Sequence, residues 1–184
     1  MKKMMMTLAA VLCCAMTMTV FTACGSDDDD SKNPAEDATP KQVAMNFVLY
    51  NTADMLNYCN IEISYDNGLG NAKTVTLTKD MVNENFSWKQ MLTADRLPAT
   101  FTISRKVTLK QSIDEVEKFT YTRGYSYAYA LYNAAGKRVF EGTPYASTGS
   151  SDGSGAKIAE RINARALDHT YTFTFDAKGN MTSK

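Results

Sequence analysis

Histidine and tryptophan are nearly absent from this chain: His169 and Trp88 are the single examples in 184 residues. A metal quartet or a Cys–His catalytic pair needs ligands and bases that are not supplied. Charge of one sign is also lacking, since 20 Lys plus Arg stand against 20 Asp plus Glu. A domain that grips phosphates carries a basic excess, so nucleic acid is excluded as a general partner. Long apolar runs are missing too. The strongest, Leu8 to Cys14, is diluted by Thr17, Thr19 and Thr22 and falls short of the ~20 apolar residues of a spanning helix. No Gly-x-Ser-x-Gly elbow occurs, and Ser151-Asp152-Gly153-Ser154-Gly155 lacks the Lys of a phosphate loop. A hydrolase therefore ranks last among the functions considered, no catalytic residue is assigned, and no cofactor or metal is expected.

What is present begins at the N-terminus. Lys2 and Lys3 precede an uncharged run from Met4 to Ala23 and then Cys24, the order of a secretory signal. Phe21-Thr22-Ala23-Cys24-Gly25 resembles a bacterial lipobox, with Phe21 in the usual aliphatic position and Cys24 as the residue acylated through its sulfur. Gly25, Ser26 and the carboxylates Asp27, Asp28, Asp29 and Asp30 follow, an order similar to the export signal of Bacteroides-type surface lipoproteins. The resemblance covers residues 1–30 only. It implies an outer-membrane lipoprotein held by acyl chains on Cys24 and displayed at the cell surface, with a periplasm-facing lipoprotein as the alternative. Anchoring physics fits, because each buried methylene contributes about 0.8 kcal/mol and two or more chains make a durable anchor. The four adjacent carboxylates repel one another and read as a solvated segment.

These signals divide the chain into a signal peptide (1–23), an acidic lipidated tether (24–40) containing Pro34 and Pro40, and a body (41–184). Cys13 and Cys14 leave with the signal, so Cys59 is the body's one thiol and an intramolecular disulfide is excluded. Cys59 shares parity with Ile61, Ile63 and Tyr65, which places it on the buried face of a strand.

The body is dominated by period-two alternation, the mark of strands with one buried face. Val43 to Leu49, Cys59 to Tyr65, Val75 with Leu77, and Phe86 with Trp88 alternate first. Ala99 to Leu109, Phe119 to Leu131 and Tyr171 to Phe175 follow, interleaved with threonines that favour pleated surface over helix. Asn133-Ala134-Ala135-Gly136 and Asp176-Ala177-Lys178-Gly179 share one hairpin layout, so short return strands are expected after each. Gly142 to Gly155 reads as a mobile loop. Ile158, Ile162 and Ala166 change the period to about four and predict one helix near 157–167, seated on the small-residue face of Gly124, Ser126, Ala128 and Ala130. The expected fold is an all-β antiparallel sandwich of about seven to nine strands, immunoglobulin-like or a related Greek key, with a partly closed barrel as the alternative.

Two clusters carry the binding chemistry. Tyr125, Tyr127 and Tyr129 share one strand face and either stack a sugar or peptide or fill the core. Arg105 and Arg123 interrupt apolar faces, and a hairpin centred near Asp114 would set them opposite each other. Gly124 turning Arg123 outward, a bridging carboxylate, or an open anion site would each resolve that juxtaposition. The function expected is a lipid-anchored binding or accessory module for glycan, protein or a surface assembly, without catalysis. The alternative is a structural subunit joined by strand addition, with Gln42 to Tyr50 as donor.

Overall fold

The computed structural model describes residues 37–66 and 72–184. The signal, Cys24, Asp27–Asp30 and residues 67–71 lie outside the described residues. The first sheet runs in the order β4 (Ser87–Ala94), β1 (Gln42–Tyr50), β7 (Tyr125–Tyr132), β8 (Arg138–Glu141), and β9 (Tyr145–Ser147) also pairs with β7. The second runs β12 (Met181–Ser183), β11 (His169–Phe175), β5 (Ala99–Leu109), β2 (Cys59–Asp66), β3 (Lys73–Thr76). A separate ribbon joins β6 (Phe119–Thr122) to β10 (Ser150–Gly153). Every pairing is antiparallel.

The two large sheets pack face to face through the predicted apolar parities. Phe47 of β1 lies 5.3 Å from Tyr171 and 5.9 Å from Phe173, and Tyr127 and Tyr129 meet Phe173 and Phe175 at 4.9 and 5.1 Å. The protein is thus an all-β antiparallel sandwich, and no barrel closes among the described residues. Both hairpin turns form as their sequence dictates. Asn133 Oδ1 accepts from the Ala135 and Lys137 amides, Asp176 Oδ1 accepts from those of Lys178 and Asn180, and Gly136 and Gly179 take positive φ.

Several expectations are corrected. The alternation from Phe119 to Leu131 is not one strand: it breaks at Arg123-Gly124, and β6 and β7 belong to different sheets. A Cβ at Gly124 would stand 2.9 Å from the Ser147 carbonyl oxygen, so the backbones approach there closely. The supposed loop at 142–155 carries β9 and β10, whose alternation is silent because nearly all their side chains are exposed. Phe86 is not in a strand. It is left-handed (φ 55°), held by its amide donating to Asn83 O and its carbonyl accepting from the Asn51 amide, while Trp88 of β4 is buried against Tyr65. Strand β1 is hydrogen-bonded on both edges, by β4 and β7, so Gln42–Tyr50 is not available for donation to a neighbour.

The predicted helix exists as α2 (Gly155–Asn163), and a six-residue helix α1 (Ala53–Tyr58), too short to show a period, precedes β2. Helix α2 buries Ile158, Ala159 and Ile162 but packs near β5 and Ile113 rather than on β7, whose Ser126 instead hydrogen-bonds Tyr50. It ends early because Arg165 adopts φ 57°. The Ala166 amide then donates to Arg161 O and the Arg165 amide to Ile162 O, a Schellman closure that exposes Ala166 and buries Leu167. Glycine is the residue that takes this conformation without a Cβ penalty. Arg165→Gly is expected to raise unfolding free energy by about 0.5–1 kcal/mol, the residual after glycine's greater freedom in the unfolded chain. Urea denaturation checks it, and a destabilised variant would contradict the reading.

Candidate functional site

The break after Thr122 builds the site. Helix α1 secures one edge of β6: Thr52 Oγ1 donates to Thr120 O (2.6 Å), the Thr120 amide donates to Asp54 Oδ2 (2.7 Å), and the Thr122 amide to Met55 Sδ (3.5 Å). Strand β10 takes the other edge. The chain then steps through Arg123 and Gly124 into β7, and Thr122 Oγ1 pins the step by donating to Gly149 O (2.6 Å) and accepting from the Gly124 amide (2.9 Å). A cleft of about 360 Å3 opens between this step and residues 147–151, with Tyr121, Arg123, Ser147, Thr148, Ser150 and Ser151 among its walls. Its volume falls at the lower end of the about 300–1,000 Å3 of small-ligand sites. A smaller hollow of about 240 Å3 lies elsewhere, beside Leu56, Val82 and Phe86.

An aromatic edge adjoins the cleft. Strand β9 sets Ser147 opposite Tyr125 and Tyr145 opposite Tyr127. The Tyr145 ring lies 5.5 Å from Tyr125 and 5.3 Å from Tyr127, and it is 44% exposed. The ladder itself is mainly core: Tyr127 is buried, and half-buried Tyr125 and Tyr129 pack on Tyr171 (4.5 Å) and Phe175 (5.1 Å). In the sequence Tyr145 is a lone aromatic within a Gly/Ser/Thr-rich stretch, and nothing there marks it as stacking on the ladder.

Burial, then a hydrogen bond with Tyr145, pushes Tyr125 up to about 12, and burial pushes the Cys59 thiol up to about 11. The folded state thus resists ionisation of both groups, whose ordinary values are 10 and 9. Their contribution is complete below about pH 9 and is lost as pH rises toward 12. Melting temperature is expected to fall steadily across pH 9–12 and to fall less in Cys59→Ala. An equal decline in both proteins would exclude a thiol contribution.

Arg105 and Arg123 are not cross-strand partners. Strand β5 pairs with β11 and β2, setting Arg105 beside His169 and Ile63, because the connection after Leu109 leads out of the sheet instead of forming a hairpin. Arg105 is 1% exposed, yet no carboxylate bonds it among the described residues. Its Nη1 and Nη2 donate to Thr122 O (3.1 Å) and Leu167 O (3.2 Å), and its Nε has no hydrogen-bond partner. Asp168 is close enough to favour the charge, but its Oδ1 accepts from the Val107 amide, and burial dominates in lowering the Arg105 pKa. Arg123 is exposed on the cleft wall, and Tyr171 Oη donates to its carbonyl oxygen (3.3 Å).

His169 is exposed, sits edge-on to Tyr171 at 4.5 Å, and has its pKa lowered by partial burial and then by Arg105 and Arg123. Among the described residues, no group of three His, Cys, Asp or Glu is disposed to hold a metal, and no helix is long and apolar enough to cross a membrane. Polar hydroxyls, one guanidinium and the exposed Tyr145 ring, tilted against Tyr125, can hold a polyhydroxylated ligand. No protein-family model and no curated protein matches the chain.

Proposed function

We propose that this protein is a lipid-anchored cell-surface module that binds carbohydrate without transforming it. The observation that carries this reading is the junction, along the short strand β9, of the hydroxyl-lined cleft with the exposed Tyr145 ring, which packs on half-buried Tyr125. Sugar rings present apolar C–H faces and dense hydroxyl edges, and this junction offers an aromatic surface for one and donors and acceptors for the other. The anchoring half rests on the lipobox-like segment at Cys24 and the acidic run Asp27–Asp30, with the Pro-containing tether holding the body off the bilayer.

Calorimetric titration of the purified protein against an oligosaccharide panel tests the binding half. Tyr145→Ala is expected to weaken the best ligand about tenfold, the equivalent of 1.4 kcal/mol, with melting temperature nearly unchanged because the residue is on an edge strand. Unaltered affinity in that variant would move the site elsewhere. Intact-mass analysis of protein extracted from membranes tests the anchor: a mature chain beginning at acylated Cys24 is expected, and an unmodified sulfur would remove it.

A further inference from the structure

We infer that the cleft selects acidic sugars, with Arg123 pairing the ligand's carboxylate or sulfate while Tyr145 and Tyr125 receive an adjacent ring; this rests on the carbohydrate reading above. The inference comes from which charges around the cleft are already committed. Asp152 bonds Lys118 (3.0 Å) and Thr120 Oγ1 (2.7 Å), Asp54 accepts the Thr120 amide, and Asp168 accepts the Val107 amide. Asp152 is thus charge-paired by Lys118, while Asp54 and Asp168 are held by backbone amides. The cations are not matched in the same way. Arg123 lines the cleft and Arg161 lies 5.2 Å over the ring of Tyr121, another wall residue, and neither forms an ion pair among the described residues.

Behind the wall, Arg105 is buried, and its Nη1 holds the carbonyl of Thr122, which itself lines the cleft. A guanidinium in that position, hydrogen-bonded to carbonyl oxygens and only partly compensated by the nearby Asp168, adds positive potential to the adjoining recess. His169 is the ladder partner of Arg105, and its pKa is lowered by partial burial first and then by Arg105 and Arg123. An exposed arginine that can fork onto a planar oxyanion, set beside hydroxyls and an aromatic edge, matches a uronate or sulfated ring better than a neutral one.

The full-length chain, purified in detergent, is titrated with a tetragalacturonate, a sulfated oligosaccharide of similar length, a neutral oligosaccharide and inorganic sulfate. Expected is at least tenfold preference for one or both acidic sugars over the neutral one, weakened by salt and abolished in Arg123→Gln, whose acidic-sugar affinity falls to the level of its neutral-sugar affinity. Which acidic ligand binds identifies the oxyanion. Because His169 is the one histidine, its NMR titration gives a second readout, and its pKa should rise when an acidic ligand neutralises the cluster. Equal affinity for neutral and acidic sugars, indifferent to Arg123→Gln, overturns the inference and leaves the carbohydrate reading standing. Inorganic sulfate binding as tightly as the sugars overturns the sugar requirement. Absence of binding to every sugar overturns both.

Discussion

Replacing Phe47 by Ala is expected to lower unfolding free energy by about 3–5 kcal/mol, the cost of removing a buried aromatic and leaving a void. Phe47 is 0% exposed, at the centre of β1, and its ring contacts Tyr171 and Phe173 of the opposite sheet and Tyr125 of its own. The loss reaches both sheets at once, because the ring joins β1 to Tyr171 and Phe173 of β11. Set against the about 5–15 kcal/mol that holds an ordinary domain, such a loss removes a large part of the margin. Guanidinium titration measures it, with Val75→Ala on the short edge strand β3 as the comparison. A cost below about 1 kcal/mol for Phe47→Ala would mean that the sheets do not depend on this contact.

The second large effect concerns Arg105, where volume and charge act in opposite directions. Arg105→Ala removes the largest fully buried side chain and leaves the Thr122 and Leu167 carbonyls without their donor. The expected cost is about 3–5 kcal/mol, combining a cavity with orphaned acceptors. Arg105→Met fills most of the space and lifts the desolvation cost of a guanidinium that has no bonded carboxylate, so it should cost under about 2 kcal/mol. Chemical denaturation of the two variants side by side separates these contributions. If Met is as damaging as Ala, the two backbone hydrogen bonds outweigh volume, and the residue serves chiefly to tie β6 and the segment before β11 to β5.

The contrast between Arg105 and Tyr145 shows where the sequence is informative. Ala99 to Val107 and Tyr171 to Phe175 alternate because one face of each is buried by the opposing sheet, so period two appears directly in the residues. Strands β9 and β10 bury neither face, and backbone pairing to β7 and β6 leaves no trace in side-chain polarity. The break at Arg123-Gly124 is hidden for a different reason: Phe119, Tyr121, Tyr125 and Tyr127 keep their parity through it, though the chain changes sheets. Strand order is equally invisible. A local hairpin would match Arg105 to Arg123, whereas its ladder neighbours, His169 and Ile63, come from distant segments. The site inherits that opacity, since it depends on the sheet change and on an edge strand: the sequence marks Arg123, Gly124 and Tyr125 but leaves Tyr145, Ser147 and Thr148 unmarked.

Amide chemical-shift mapping during titration with the best-binding oligosaccharide tests the central claim most directly. The largest perturbations are expected at residues 121–124 and 145–151, fading along β7 toward Tyr132. Perturbations centred instead on the hollow beside Leu56, Val82 and Phe86, or none at saturating sugar, would contradict the assignment of this cleft as the binding site.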